Sequence, residues 1–206
     1  MNKIIGISGV AGAGKDTFYS LLSQSIPCVR YSLADELKRE VNQWCRLHYG
    51  IDSVTCSREE KEVIREFLVY HGTIKRKNSE GRHWIDKLHD TIINDKSDNL
   101  KVITDIRYDE YENDEVSWLK NELDGVLVHV SMYVDFTQVE VSKEQTKIIK
   151  GALKKYKSPA NAEEARNDPK IKDKSDFQVE WPFIKNSQID ELTPWVDEFA
   201  KWLLKS

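Results

Sequence analysis

A glycine-rich loop near the N-terminus constrains the fold more than any other feature of this sequence. Residues 3–8 form a short apolar run with β-branched side chains, which is typical of a buried strand. The segment 9–17 follows directly and reads Gly-Val-Ala-Gly-Ala-Gly-Lys-Asp-Thr. Residues 15–25 are predicted to form a helix. A strand, a Gly-x-x-x-x-Gly-Lys loop and a helix in this order are the context in which such a loop binds phosphate.

The predicted loop offers backbone N–H groups, the positive end of a helix and one lysine. Lys15 is expected to reach the β and γ phosphates and to neutralise charge as the γ group moves, which makes it a catalytic candidate. Position 16 is Asp where Ser or Thr is common, so Asp16 is either a Mg²⁺ ligand or a residue that stabilises the helix N-terminus. The predicted phosphate-binding residues are Gly9, Ala11, Gly12, Ala13, Gly14, Lys15, Asp16 and Thr17.

Strand and helix patterns alternate along the rest of the chain, which predicts an α/β fold with a central parallel sheet between two helical layers. Ligands of such sheets bind at the carboxyl ends of the strands. In the C-terminal helix, Pro194 is expected either to kink the helix or to start it as its first residue, with Thr193 as N-cap. The other predicted elements are strands over 28–33, 101–106, 125–132 and 177–184, a helical stretch over 34–95 with breaks near 50–57 and 72–81, and a helix over 110–122.

Composition excludes several classes of protein. The chain has 206 residues, as expected for one domain, and 31 Lys and Arg against 35 Asp and Glu give a net charge of −4. That balance argues against a general nucleic-acid binder. No apolar run is long enough to span a membrane. The N-terminus is too short and Gly-rich for a signal peptide, and the three cysteines form no Cys-x-x-Cys pair, so we expect a cytoplasmic protein.

Sequence motifs also separate the classes of phosphate-loop protein. A GTPase usually carries Asn-Lys-x-Asp, whereas residues 94–97 here read Asn-Asp-Lys-Ser. An assembly ATPase usually has an aliphatic strand ending in two acids, whereas Asp105 here is followed by Ile106 and Arg107. An arginine at the mouth of the site suits a second anionic substrate, and two polar inserts suit closure over an acceptor. The motifs therefore favour a small-molecule kinase.

Several segments resemble the deoxynucleoside monophosphate kinases of tailed bacteriophages. They are Gly14-Lys15-Asp16-Thr17, the strand running into Ala34-Asp35-Glu36-Leu37-Lys38, Arg65 with Gly72-Thr73 and Trp84, Asp105-Ile106-Arg107, and Ile184-Lys185-Asn186 before the last helix. The resemblance implies transfer of phosphate from ATP, with Mg²⁺, to a (deoxy)nucleoside 5′-monophosphate in the host cytoplasm. It implies small nucleotides as partners, a possible homodimer, and an adenine site near Lys185 and Asn186. This chain departs from the family at Tyr111, where an acid is usual, and in the basic segment between Gly72 and Trp84.

The resemblance also implies three regions within one phosphate-loop kinase domain. These are a core over 1–35, 98–132 and 177–206, a helical monophosphate-binding insert over 36–97, and a polar lid over 133–176. Within the lid, residues 143–174 carry ten Lys or Arg and five acids, so this segment is +5 and the remainder is −9. Arg166 is the predicted catalytic lid cation, because an arriving arginine stabilises charge in phosphoryl transfer. Lys154, Lys155 and Lys157 are the alternates.

Each candidate acceptor-binding residue has a structural alternative. Asp105 either holds Mg²⁺ through water or caps the turn that follows it. Arg107 is a catalytic candidate that clamps the acceptor phosphate or pairs with the acids of 110–115. Asp35 and Lys38 share a helical face and contact either the acceptor or each other. The resemblance adds Arg65, which otherwise is an exposed helical arginine, Trp84, which otherwise packs in the core, and Gly72 and Thr73.

Two other functions stay open at this point. One is a different small-molecule kinase on the same fold, acting on a phosphorylated metabolite, a sugar acid or a nucleoside. The other is a regulatory ATPase that needs no acceptor. Dependence of ATP turnover on an added acceptor separates them.

Overall fold

The computed structural model describes residues 3–135 and 154–205. Its sheet has the order β2–β3–β1–β4, in which all pairs are parallel. β6 adds in parallel to β4, and the short β5 pairs antiparallel with the end of β4. The strands are β1 (Ile4–Ser8), β2 (Cys28–Tyr31), β3 (Leu100–Ile106), β4 (Val126–Asp135), β5 (Lys154–Tyr156) and β6 (Phe177–Pro182). The α/β fold with a central parallel sheet is thus confirmed.

Helices connect these strands and cover both faces of the sheet. They are α1 (Lys15–Ser25), α2 (Leu33–Tyr49), α3 (Arg58–Asn78), α4 (Arg82–Asn94), α5 (Glu115–Ser117, which continues as a π-helical turn over Trp118–Glu122), α6 (Ala162–Lys174) and α7 (Thr193–Leu203). A 3₁₀ segment over Asn186–Leu192 precedes α7. None of the helices in the described ranges is long and apolar enough to cross a membrane.

Alternating side chains of the strands build two separate cores. Val102 points to the face covered by α1 and α7, where it packs with Phe18 and Phe199. Ile103 points to the opposite face, which α2, α4 and the π-helical turn cover with residues such as Leu88 and Trp118. Every residue of β3 is buried, as expected for a central strand with helices on both sides. The result is the three-layer arrangement that the sequence predicts.

The long helical stretch folds into α2, α3 and α4. Helices α2 and α3 share a small apolar core of their own, whereas α4 packs in the core under the sheet. The predicted break near 50–57 is confirmed, because Gly50 ends α2 with φ 67° and Ser57 caps α3. The predicted break over 72–81 is confirmed in its last part, because α3 continues to Asn78 and the chain leaves the helix at residues 79–81. Gly72 lies inside α3 and serves packing: an added Cβ would lie 3.3 Å from Leu37 of α2. Gly81, the last residue of the break, adopts φ 92°.

Three element ends differ from the prediction because side chains elsewhere decide them. β2 ends at Tyr31, two residues early, because Ser32 and the following amides turn to bond another strand. The predicted helix over 110–122 begins only at Glu115, after the Asp114 carboxylate, which accepts from its N–H. Thr193 is the first residue of α7 rather than its N-cap, and Leu192 precedes it.

Candidate active site

The loop between β1 and α1 has the backbone that phosphate binding requires. Gly9, Gly12 and Gly14 adopt φ values of 131°, 77° and 95°, which side chains rarely allow. A Cβ on Gly9 would lie 2.2 Å from the Val130 carbonyl oxygen of β4. The Ala13 N–H donates to the Val10 carbonyl across the loop at 3.1 Å. The glycines are therefore forced by conformation and by close packing together.

Trp181 of β6 packs against this loop, a contact that no sequence pattern predicted. Its side chain is fully buried and its indole N–H donates to the Ala13 carbonyl at 2.9 Å. A Cβ on Gly14 would lie 2.7 Å from its ring. Tryptophan at the end of the last strand is a weak sequence signal, because only the sheet order brings β6 under the loop.

Lys15 lies within the loop. Its ammonium donates to the carbonyl oxygens of Gly9 and of Val10, the latter at 3.1 Å. Burial and, next, the nearby charge of Arg107 lower the pKa of Lys15 to about 8. A lysine held in this way is destabilised in its charged form until an anion arrives, which is the electrostatic situation of a phosphate site.

Asp16 and Thr17 follow in the first turn of α1. The Asp16 side chain is exposed, and among the described residues it makes no hydrogen bond or ion pair. Its negative charge nonetheless acts on two cations. It partly offsets the lowering of the pKa of Lys15, and it adds to the rise in the pKa of Arg30 of β2 that the Asp35 carboxylate mainly causes. A free carboxylate between two cations beside an anion-binding loop fits a Mg²⁺ ligand as well as a charge that stabilises the helix N-terminus.

Asp105, at the carboxyl end of β3, is bound to the start of α2. One oxygen accepts from the Leu33 N–H at 2.9 Å, and the other accepts from the Ser32 hydroxyl and the Ala34 N–H, both at 2.8 Å. Asp105 thus caps a neighbouring helix instead of its own turn. Three hydrogen-bond donors already bind this carboxylate, so the role of Asp105 in holding Mg²⁺ stays a prediction.

Arg107, two residues later, projects an exposed guanidinium near Lys15. In residues 3–135 and 154–205 this guanidinium makes no ion pair, and the expected alternative partners bind elsewhere: Glu110 pairs with Arg166, and Asp114 with Arg76. Its position is set through the backbone, because the buried Glu115 carboxylate accepts the N–H groups of residues 107 and 108 at 2.6 and 3.1 Å. An uncompensated cation held beside the loop lysine is suited to bind a second anion.

A cluster of three charged residues lies at the end of β2 and the start of α2. Asp35 accepts from Lys38 and from Arg30, each at 2.7 Å, so the pairing of Asp35 with Lys38 that the sequence left open is present. Arg30 was not predicted, although a charged residue next to the end of a short parallel strand is a usable signal. These three residues bring one negative and two positive charges to the same edge of the sheet.

The other acceptor candidates are not brought to this edge by any contact in the described part of the chain. Arg65 is exposed and pairs with Glu62 on its own helix. Thr73 is exposed, and Gly72 packs on Leu37. Trp84 is 7% exposed and belongs to the core under α2 and α4. Their roles in binding stay predictions, and the structure gives each a packing or surface position instead.

The lid residues divide between the loop and its surroundings. Arg166 of α6 pairs with Glu110, 2.8 Å from its Nε, rather than with the loop. Lys157 lies closer: its Cε is 3.3 Å from the position of a Cβ on Gly12. Of the lid candidates in the described residues, Lys157 is therefore the cation that contacts the phosphate loop. Lys143, Lys147 and Lys150 of the basic segment lie outside the described residues.

A cavity of about 550 Å³ opens beside Gly12. Its walls come from the end of β4, from β5 and from the segment after β6, and the aromatic side chains Tyr156 and Phe183 are 42% and 61% exposed there. The lining residues are Gly12, Met132, Tyr133, Val134, Lys155, Tyr156, Lys157, Ser158 and Phe183. The adenine site that the resemblance implies, near Lys185 and Asn186, lies two to three residues beyond Phe183.

The geometry defines an α/β phosphate-loop site. No protein-family model matches the chain, and no curated protein matches it. Two solved structures are similar along nearly the whole chain. Dephospho-CoA kinase from Campylobacter jejuni is 15% identical with a TM-score of 0.40, over 98% of this chain and 97% of that one. TT1252 from Thermus thermophilus is 14% identical with a TM-score of 0.41, over 98% and 96%.

Proposed function

We propose that this protein is an ATP-dependent kinase that phosphorylates a (deoxy)nucleoside 5′-monophosphate to the diphosphate. One observation carries the proposal: Lys15 in the loop and Arg107, which makes no ion pair with any described residue, lie close enough for the charge of one to lower the pKa of the other. Two neighbouring cations, one of them on a phosphate loop, are what two phosphate-bearing substrates need when they meet end to end.

ATP would occupy the loop and the cavity beside Gly12. The loop amides and Lys15 bind its phosphates, and the rings of Tyr156 and Phe183 offer flat apolar faces for its base. Lys157 lies between the cavity and the loop, where its ammonium can follow the phosphates. This places the base a few residues before the segment 185–186 that the sequence suggested.

The acceptor would lie on the other side, over the ends of β2 and β3. Arg107 binds its phosphate, and Arg30 and Lys38 stand nearby with Asp35 between them. The acceptor's own phosphate oxygen attacks in line, so the residues need only position the two substrates and stabilise charge.

The described residues of this site could hold Mg²⁺ only together with phosphates and water. No group of three or more His, Cys, Asp or Glu in the described residues could hold a metal ion by itself. Mg²⁺ that accompanies a nucleotide needs only one or two carboxylates, with phosphates and water as its other ligands. The exposed Asp16 is the residue that would hold it, and the ion would supply charge neutralisation on the phosphates.

The three regions, the cytoplasmic location and a possible homodimer remain part of the same proposal. A kinase for another phosphorylated small molecule would use the same two cations, and the cavity beside Gly12 would be unchanged. The regulatory ATPase is the weaker candidate, because it gives the exposed Arg107 nothing to bind.

A release assay for ADP tests the proposal directly. The purified protein is given Mg-ATP and, in turn, each deoxy- and ribonucleoside monophosphate, with Lys15→Ala as the inactive control. We expect ADP release to depend on one acceptor or a small group of them. Release with no acceptor points to the regulatory ATPase. Absence of release with every nucleoside monophosphate contradicts the proposed substrate class, and release when a phosphorylated metabolite, a sugar acid or a nucleoside is then added points to the alternative kinase.

A further inference from the structure

The phosphate loop already holds an anion from its own chain. Both carboxylate oxygens of Glu164, in the first turn of α6, lie 3.2 Å from the Ala11 nitrogen, whose N–H they accept. The carboxylate is also close enough to Lys15 for its charge to raise the pKa of that lysine. Ala11 belongs to the loop whose amides would bind phosphate oxygens. A carboxylate and a phosphate group are both acceptors with negative charge, so they compete for that amide.

Capping of α6 does not account for this contact. Asn161 already caps the helix, since its side chain accepts the Glu164 N–H at 2.9 Å. Glu164 also accepts the Ala160 N–H at 2.8 Å, which holds the carboxylate at the helix start. Neither bond requires Ala11, which is 153 residues away in sequence. The contact therefore joins two regions of the fold rather than completing a helix end.

Helix α6 is held over the loop by further hydrogen bonds to neighbouring elements. The Tyr108 hydroxyl donates to Glu163 at 3.1 Å, and the Asp109 N–H donates to the buried Asn167 side chain at 3.3 Å. His129 of β4 bonds Asp168 at 3.1 Å. These bonds fix the position of the Glu164 backbone, so the carboxylate reaches Ala11 without the full entropy cost of ordering a free surface chain.

We propose that Glu164 is an internal competitor that occupies the phosphate loop and must leave before nucleotide phosphates bind. The apparent affinity for nucleotide is then the intrinsic affinity multiplied by the fraction of molecules in which Glu164 has left the loop. A triphosphate displaces the single carboxylate because it offers more oxygens and more charge to the loop. The proposal rests on nucleotide binding at this loop, which is part of the proposed function.

Equilibrium binding of Mg-ATP and of pyrophosphate, measured by calorimetry, tests this competition. Pyrophosphate isolates the loop, because it has no base to enter the cavity. Glu164→Gln removes the charge and keeps the size, so we expect both ligands to bind about tenfold more tightly, the worth of one charge-assisted hydrogen bond. Asp173→Asn is the matched control, since it makes the same charge change at an exposed position of the same helix.

The outcomes separate the competition from the proposed function. Tighter binding to Glu164→Gln, with Asp173→Asn unchanged, supports the competition. Equal or weaker binding to Glu164→Gln, with binding to Lys15→Ala clearly weaker than to the wild type, overturns the competition and leaves the nucleotide site intact. Equal gains in both variants also overturn it, because they indicate a general charge effect. Absence of ATP binding to every variant overturns the proposed function, and the competition with it.

Discussion

The two sides of the phosphate loop differ in what they offer a ligand. On the β2 and β3 side, the groups are charged and mostly bound to one another: Asp35 bonds Arg30 and Lys38, and Asp105 bonds the start of α2. On the β4 and β6 side, a cavity of about 550 Å³ presents apolar and aromatic walls with two lysines among them. One side suits a small, highly charged group, and the other suits a flat ring.

Under the proposed function, this difference would let one loop serve two substrates. Preorganised ion pairs hold Arg30 and Lys38 in place before binding, which lowers the cost of ordering them around a phosphate. The aromatic side needs no such network, because a base can stack on an aromatic ring in many orientations. Changes on either side are expected to affect different substrates, and the following predictions test that separation from the largest expected effect to the smallest.

Loss of the lysine shared by both sides has the largest expected effect. Lys15→Ala removes the charge that faces the transferred group, so we expect turnover to fall by about 10²–10³-fold. Steady-state ADP release with saturating ATP and acceptor measures it. A thermal unfolding curve checks that the fold persists. A decrease of less than fivefold contradicts the assignment of Lys15 to the transferred phosphate.

Arg107→Ala tests the charged side alone. Loss of a charge-assisted contact of about 1.5–3 kcal/mol is expected to raise the acceptor KM by about 10–100-fold and to leave the ATP KM within about twofold. Arg107→Lys keeps the charge without the planar fork and should recover part of the loss. Equal effects on both KM values would falsify the separation of the two sides.

Phe183→Ala tests the aromatic side. Base stacking contributes about 1–3 kcal/mol, so we expect the KM for ATP to rise about tenfold, with the KM for the acceptor unchanged. Phe183→Tyr is the control, because it keeps the ring. If the acceptor KM rises instead, the cavity beside Gly12 binds the acceptor and the two sides must be exchanged.

The pH dependence of ATP binding reports on Lys15. Its pKa is lowered to about 8 in the free protein, so the ammonium is charged at pH 7 and mostly neutral at pH 9. Phosphates bind the charged form, and affinity should therefore fall as pH rises through 8, by up to about tenfold between pH 7 and 9. Lys15→Ala keeps the buried Glu115, whose pKa burial raises to about 8, so a flat profile in that variant assigns the effect to Lys15.

Asp105→Ala is expected to act on stability more than on metal binding. The carboxylate accepts three hydrogen bonds at the start of α2, and loss of such a cap costs about 0.5–2 kcal/mol. Chemical denaturation measures the change in the free energy of unfolding. A steep rise in the Mg²⁺ requirement at unchanged stability is the contrary result, and it would restore Asp105 as a metal ligand. Asp16→Ala supplies the reference for a lost ligand.

Sequence reasoning worked best where one short segment carries the whole signal. The strand, the glycines and Lys15 lie within a dozen residues, and backbone conformation alone explains their order. It worked less well where a helix meets a distant strand. A break was predicted from Gly72 to Gly81, yet Gly72 lies inside α3 and its lack of a side chain serves the close contact with Leu37. A glycine in a helical sequence is compatible both with a break in the helix and with close helix packing until its packing partner is known.

The choice of lid residue shows the same limit. A cluster of lysines and arginines indicates a basic segment, but charge alone does not say which member reaches the loop. Arg166 is bonded to Glu110, whereas Lys157 lies against Gly12 because β5 pairs with the end of β4. The paired residues of β4 and β5 are 19 to 23 positions apart, and no local pattern predicted this long-range pairing.

The sequence by itself determined the α/β sheet, the phosphate loop and the lysine within it. Apolar runs, positive-φ glycines and helix starts are local preferences that each segment carries with it. The tertiary structure alone decided that Trp181 supports the loop, that Arg107 is left without an ion pair in the described residues, and that Glu164 bonds Ala11. The reason is that hydrogen bonds and ion pairs between distant segments depend on which elements the sheet order and helix packing bring together.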